Sequence, residues 1–333
     1  MSRTIVVGDV HACFDELMRL VELVELAPDD LLVSVGDLVD RGPAPAEVLA
    51  YFRTRPNTVV LAGNHERKHV RQVFSYAQEI TRLQLGDAYA EHVAWMGTLP
   101  YSFENEHVRV VHAALVPGLP LATQPPEILC GSTSGERDLA TRVPEGAWYD
   151  HDTEDKPIVF GHRVHDEPLV RGGRVFGIDT GACHGGKLTA LVAPGLVLHA
   201  VPARADYWAE AKQRWQLPVL RAKPWRELGW ETIDEQLARF RGAKSDEARA
   251  WIAALERWFA DVRAVQPAIL DAAYRDAEAV IGRGAAQGHP AQALLFQAKS
   301  KRLDAASVAK VCTTPAKVVA IAASLGVAVP DFP

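Results

Sequence analysis

Cysteine is scarce and scattered. The 333-residue chain holds four, Cys13, Cys130, Cys183 and Cys312, with no Cys-x-x-Cys pair. This excludes a disulfide framework and a thiolate zinc site, and a reducing, cytoplasmic setting is expected. Long apolar runs are also missing: stretches such as Ile5–Val7 and Val318–Ala323 fall far short of the ~18 residues a membrane span requires. The N-terminal segment reaches a Gly8-Asp9 turn too early for a signal peptide. No excess of positive charge marks a nucleic-acid binder, since the formal net charge is −6. Internal repeats and low-complexity tracts are absent. So is a Gly-x-x-x-x-Gly-Lys-Ser/Thr phosphate loop, so kinase activity would need another chain.

What is present is an ordinary globular mixture, 48% hydrophobic and 23% charged, at a length that suggests about two domains. Charge is uneven: residues 1–205 carry 18 basic and 27 acidic side chains, the remainder 18 and 15. The first part alternates strand and helix signals. Thr4–Val7 ends in Gly8-Asp9, and Phe14–Leu26 then carries apolar residues near the helical period. Leu31–Val35 ends in Gly36-Asp37, Ala46–Phe52 reads as a helix, and Thr58–Ala62 ends in Gly63-Asn64. Further strands are expected at Val108–Val111, Ile158–Phe160, Val175–Ile178, Lys187–Val192 and Leu196–Val201. This alternation predicts an α/β layered fold. Beyond Arg204 no strand is expected. Ser245 is a good N-cap for a helix bearing Trp251, Leu255, Trp258 and Val262 in one stripe. Pro267 opens another helix, and Ala291–Leu303 and Ala305–Leu325 follow, the last interrupted at Pro315. The expected division is 1–205 and a helical 206–333.

One pattern recurs in the first part. An apolar strand runs into a glycine, and a metal-competent side chain follows: Val7-Gly8-Asp9-Val10-His11, Val35-Gly36-Asp37, Ala62-Gly63-Asn64-His65 and Phe160-Gly161-His162. Val110-Val111-His112 is a fifth case without the glycine. Taken singly, each is an ordinary strand end with a turn residue. Five in order point elsewhere, because strand ends in open α/β sheets gather where ligands bind. Asp9, His11, Asp37, Asn64, His112 and His162 would then share a pocket. Their oxygen and imidazole donors suit manganese, iron or zinc, and six dispersed ligands suit two cations better than one.

Gly8-Asp9-Val10-His11, Gly36-Asp37-Leu38-Val39-Asp40-Arg41-Gly42 and Gly63-Asn64-His65-Glu66 resemble the signature blocks of calcineurin-like metallophosphoesterases, in their phosphoprotein-phosphatase (PPP) branch. His112 and Gly161-His162 fill the two later histidine blocks. Ile178–Leu191 resembles the closing segment of bacterial members such as bis(5'-nucleosyl)-tetraphosphatases and the phosphatase domain of polynucleotide kinase-phosphatases. The resemblance covers about residues 3–202. It implies a two-sheet sandwich flanked by helices, with the C-terminal helical domain outside it. It implies two divalent ions, manganese first, with iron, zinc or magnesium as alternatives. Asp9, His11 and Asp37 would hold the first ion, Asp37 would bridge, and Asn64, His112 and His162 would complete the second. Arg41, together with Asn64, would bind the substrate phosphate, and His65 would act as general acid oriented by Asp40. A metal-bridging hydroxide would attack phosphorus with no covalent intermediate. Ala12 and Ala114 stand where the family usually has glycine, and a slight backbone adjustment is expected there. A second phosphate-gripping arginine is expected at Arg137 or Arg142, with Arg163 a third candidate.

Other residues read as structural: His165, His184, Cys13, Cys183, and Asp179 as a turn or supporting group. Six of the eight tryptophans lie beyond residue 205; Trp251 and Trp258 read as core rather than as base-stacking platforms. Phosphoester hydrolysis of the Ser/Thr-phosphatase type leads, and diadenosine tetraphosphate hydrolysis is the alternative, so the expected partner is a phosphorylated protein or a dinucleoside polyphosphate. An inactive phosphatase-like scaffold is the alternative of another class. Nucleic-acid end repair rests only on the kinase-phosphatase resemblance.

Overall fold

The computed structural model describes residues 2–242 and 245–333. The chain divides into two compact units, Met1–Trp215 and Gln216–Pro333. The first unit opens with β1 (Thr4–Val7), α1 (Phe14–Leu23), β2 (Leu31–Ser34), α2 (Pro45–Thr54) and β3 (Thr58–Val60), the expected alternation. Three helices follow where no element was expected: α3 (Asn64–Val70), α4 (Tyr76–Leu85) and α5 (Tyr89–Met96). Then come β4 (Ser102–Glu104), β5 (Arg109–Val111), α6 (Pro126–Leu129), α7 (Thr133–Arg142), β6 (Ile158–Phe160), β7 (Leu169–Arg171) and β8 (Val175–Gly177). The unit closes with β9 (Lys187–Ala193), β10 (Val197–Pro202) and α8 (Tyr207–Arg214).

The strands form two mixed sheets, in the orders β10-β9-β1-β2-β3 and β4-β5-β6-β8-β7. β1, β2 and β3 run parallel, with Val6 opposite Val33 and Val33 opposite Val59. The period-2 alternation of a strand explains the layering. Val6, Val33, Val35 and Leu61 pack with Val110, Val159 and Phe176 of the other sheet, so one core lies between the sheets. Ile5, Val7 and Leu32 face the opposite way, onto Leu17 and Leu20 of α1 and Val48, Leu49 and Phe52 of α2. The outer face of the second sheet packs Val111, Ile158 and Phe160 against Ile128, Leu129 and Trp148. Both faces of the central strands are therefore buried, which is why they read as unbroken apolar runs. Each fully buried aliphatic side chain contributes roughly 1.5–3 kcal/mol.

Helix α8 belongs to the first unit, although composition alone grouped it with the C-terminal helices. The fully buried Glu16 accepts hydrogen bonds from the Arg204 N–H and the Tyr207 hydroxyl, both at 3.0 Å.

The second unit is helical: α9 (Gln216–Ala222), α10 (Trp230–Phe240), α11 (Asp246–Ala264), α12 (Gln266–Gly282), α13 (Gln292–Lys299), α14 (Ala305–Val311) and α15 (Pro315–Ser324). Ser245 caps α11 as expected, accepting the Ala248 N–H at 3.1 Å. Trp225 and Trp258 are buried around Phe259, and Trp225 donates its indole N–H to the Leu220 carbonyl at 2.6 Å. Trp258 is core, in line with the stripe reading, whereas Trp251 of the same stripe is half-buried. Among the described residues no single helix is long and apolar enough to cross a membrane. All four cysteines are buried and free.

Candidate metal centre

The site is built from turns that follow parallel strands. β1 delivers Asp9 and His11, β2 delivers Asp37, β3 delivers Asn64, β5 delivers His112 and β6 delivers His162. These turns are unusual in conformation. His11, Asp37, Asp40, Arg41 and His162 all hold positive φ, from 44° to 71°. Non-glycine residues rarely sit there, at a cost of order 1–3 kcal/mol each, and such strain gathers at functional sites. Ala12 also adopts φ 57°, so the alanine keeps a backbone shape suited to glycine. Gly161 serves another purpose: a Cβ there would lie 1.9 Å from Asp9 Oδ1, so only glycine lets this turn pass over the carboxylate.

Asp37 lies at the centre. Its Oδ2 is 3.5 Å from His112 Nε2, 3.7 Å from His11 Nε2 and 3.9 Å from His65 Nε2. Asn64 Oδ1 lies 3.2 Å from both His112 Nε2 and His162 Nδ1. Two groups have donor atoms close enough to hold an ion: His11, Asp37 and His65, and Asp37, His112 and His162. Asp37 is common to both. The carboxylate of Asp9 accepts the His162 backbone N–H at 3.1 Å on each oxygen. His65 stands in the first of these groups and Asp9 in neither.

Hydrogen bonds set the ring orientations. His11 Nδ1 pairs with the Val39 carbonyl at 2.8 Å, and His112 Nδ1 with the Val35 carbonyl at 3.1 Å. A carbonyl accepts only from N–H, so both Nε2 lone pairs face the pocket, the arrangement found where histidine binds metal. Burial keeps both rings neutral, lowering His11 well below its ordinary value and His112 to about 4. For Asp37, burial opposes ionisation, but the surrounding histidines outweigh it and hold the carboxyl below the usual range. Neutral imidazoles around an ionised carboxylate are the ligand forms divalent cations take, so these residues fit a metal pair.

A second set of buried polar groups stands behind His65. Its Nδ1 donates to Asp40 Oδ2 at 2.6 Å, Asp40 Oδ1 accepts from His69 Nε2 at 2.9 Å, and His69 Nδ1 meets the Tyr89 hydroxyl at 2.9 Å. Gln78 also donates to Asp40. Burial alone would raise the Asp40 carboxyl, but the hydrogen bonds from His65 and His69 hold it well below its usual range. Glu66 ties the loops together, accepting the N–H groups of Asp37, Leu38 and Gly63 at 2.8–2.9 Å. Its carboxyl is pushed up to about 8 by burial and by Asp37. Sequence reasoning missed His69, Gln78 and Tyr89. The one available signal was the four-residue step from His65 to His69, which puts both on one helical face.

The arginines separate clearly. Arg41 donates to His11 Nε2 at 3.0 Å and to His65 Nε2 at 3.1 Å, so its guanidinium lies inside the site. Arg142 is exposed and paired with Asp138 at 3.0 Å, and Arg137 is exposed on α7. Arg163 follows His162 directly and lines a cavity with it. Asp179 accepts the Gly181 N–H at 3.0 Å, which is a turn role, and burial raises its carboxyl to about 6. His184 is exposed and His165 half-buried, and neither joins the donor groups.

A family model described as calcineurin-like phosphoesterase matches residues 2–181. Symmetrical bis(5'-nucleosyl)-tetraphosphatase of Salmonella paratyphi C is 35% identical over 130 residues, covering 36% of this chain and 46% of that protein. The chain thus spans about half the length of the curated relatives it matches. A crystal structure described as a candidate diadenosine tetraphosphatase is 25% identical, with a TM-score of 0.51 over 61% of this chain and 94% of that one. A serine/threonine phosphatase structure from Saccharomyces cerevisiae matches at 17% identity and a TM-score of 0.43, over 61% of this chain and 80% of that one.

Proposed function

The chain belongs to the calcineurin-like phosphoesterase family, and from that premise we propose that it is a dinuclear metal-dependent hydrolase of dinucleoside polyphosphates. The observation that carries this reading is Asp37, whose one oxygen faces three imidazole nitrogens at 3.5–3.9 Å and belongs to both donor groups. A shared, ionised carboxylate is what two neighbouring cations require and one does not. Such a pair, when bound, neutralises phosphate oxygens and lowers the pKa of a water enough for attack at neutral pH. Manganese fits the oxygen and imidazole donors, with iron, zinc or magnesium as alternatives.

The chain's own groups supply the rest. Arg41 offers a planar fork to a phosphate oxygen. Protonated on both ring nitrogens, His65 would give its Nε2 proton to the departing oxygen and return to the neutral Nδ1–H ring, whose plane Asp40 fixes. Asn64 Oδ1 faces the His112 Nε2 lone pair and the His162 ring at 3.2 Å, placed to share a cation with them. The tetraphosphatase relatives favour a phosphoanhydride substrate. A second reading, phosphoprotein hydrolysis, draws on the Asp40-Arg41-Gly42 and His65-Glu66 motifs.

Steady-state rates of the manganese-loaded chain with diadenosine tetraphosphate and with a phosphopeptide separate the two. A kcat/KM at least tenfold higher for the dinucleotide is expected, and the reverse preference transfers the assignment to the second reading. Asp37→Asn should cut bound metal from two ions to at most one and slow hydrolysis by at least about 10²-fold. Unchanged phosphate release in both Asp37→Asn and His65→Ala would leave only the scaffold reading.

A further inference from the structure

A cavity of about 430 Å³ adjoins the donor groups through His162 and is not needed to hold metal or to attack phosphorus. Its volume lies in the ~300–1,000 Å³ range of small-molecule sites. Its floor is aromatic. Phe160 is 1% exposed and Trp148 8%, with Trp148 edge-on to Phe160 at 5.2 Å and Tyr149 stacked on Phe160 at 5.7 Å. Leu139 and Val143 add aliphatic wall, and Gly146 and Ala147 leave space. Polar groups gather at the end nearest the metal donors. Glu136 pairs with His162 Nε2 at 3.1 Å, and Arg163 is exposed with no ion-pair partner among the described residues.

From this layout we propose that the cavity holds one nucleoside of the dinucleoside polyphosphate, its base against Tyr149, the half-buried ring of that floor, and its phosphates leading past Arg163 to the metal donors. The proposal rests on the hydrolase reading above and adds the substrate's recognition element. The argument is one of polarity. The ligand must be apolar and flat at one end and anionic at the other. A nucleoside joined to a polyphosphate has that form, and aromatic side chains accept any base face. A phosphopeptide would bring backbone amides into walls that offer them few partners. Arg163 then acts on the phosphate chain beside His162, the place for which Arg137 and Arg142 were the first candidates.

Ala140 is exposed and Ala147 half-buried, and both line the cavity, so Ala140→Trp and Ala147→Trp project into it from outside the fully buried core. Two measurements use the full chain. Calorimetry with adenosine and ADP on metal-free protein should show binding that each variant weakens at least tenfold. With manganese, the ratio of kcat/KM for diadenosine tetraphosphate to that for p-nitrophenyl phosphate should fall at least tenfold in each variant. The proposal is overturned if wild-type protein binds neither adenosine nor ADP at millimolar concentration. It is equally overturned if both variants keep the wild-type ratio, or if they depress phosphopeptide turnover instead. If the variants lose adenosine binding while the loaded wild-type chain hydrolyses neither substrate, the nucleoside site stands and the hydrolase reading falls.

Discussion

Asp40→Asn tests whether His65 works as a proton donor or merely as a neighbour of the metal donors. Asp40 is fully buried and accepts from His65, His69 and Gln78. An asparagine keeps the shape, loses the charge and offers one acceptor oxygen in place of two. The oxygen can still face His65 and Gln78, and the new NH2 then meets His69 Nε2, which accepts once that ring shifts its proton to the Tyr89 side. Folding should therefore suffer by no more than the ~1–3 kcal/mol of one imperfectly satisfied polar group. Catalysis should suffer more, because the ring loses its anionic partner at 2.6 Å. General acid catalysis supplies about 10²–10⁴-fold. A loss of about 10² in kcat corresponds to ~2.7 kcal/mol of barrier. The informative assay compares leaving groups. An alkyl phosphate, whose alkoxide departs poorly, should lose about 10²-fold, whereas p-nitrophenyl phosphate, whose phenolate needs little protonation, should lose under tenfold. Equal losses for both would refute proton donation by His65 and reassign the Asp40 effect to site geometry.

Three further outcomes follow from the same contacts. Gly161→Ala puts a methyl group 1.9 Å from Asp9 Oδ1 and 2.7 Å from Val35 Cγ2, so the His162 turn must shift; manganese titration should show affinity weakened at least about tenfold, and unchanged affinity would mean the turn does not set ligand position. Asp30 is held down to about 2, because the Arg3 side chain and the Arg3 and Ala27 N–H groups outweigh its burial. Its contribution is therefore complete above the ordinary carboxylate pKa and disappears as pH falls through about 2. Asp30→Ala should lower stability at pH 7 by about 1–3 kcal/mol in urea unfolding, and the gap from wild type should close toward pH 2. Trp225→Ala removes the largest fully buried side chain, which lies among the helices of Gln216–Pro333. A loss of about 3–5 kcal/mol is expected, read as an earlier thermal transition by far-ultraviolet dichroism; a shift worth under 1 kcal/mol would count against a packed core there.

The parts of this molecule legible in the sequence are those whose chemistry is local. A β-branched run, a glycine and a donor side chain are contiguous, so Asp9, Asp37, Asn64 and His162 could be read from short windows, and the two-sheet fold followed from the family those windows resemble. What stayed hidden has one physical cause. Helix α3 buries His65, Glu66, Arg67 and His69 and so lacks the apolar stripe by which a helix is recognised, and α4 buries Gln78 and Thr81 among the apolar Ala77, Ile80 and Leu85. His65, Glu66 and Gln78 are partnered by the turn from Asp37 to Asp40, contacts spanning 25 to 38 residues of sequence. Glu16 likewise hides within α1 and anchors α8 across 191 residues, beyond the point where composition changes. A polar group bound for burial is costly unless partnered, and the partners here are the same groups that position Asp37 and His65. The failure of hydrophobic periodicity between residues 64 and 70 is therefore itself a positional signal. A stretch that must be helical to stay compact, yet is polar on its inner face, marks where a chain has exchanged apolar packing for the support of a reactive centre.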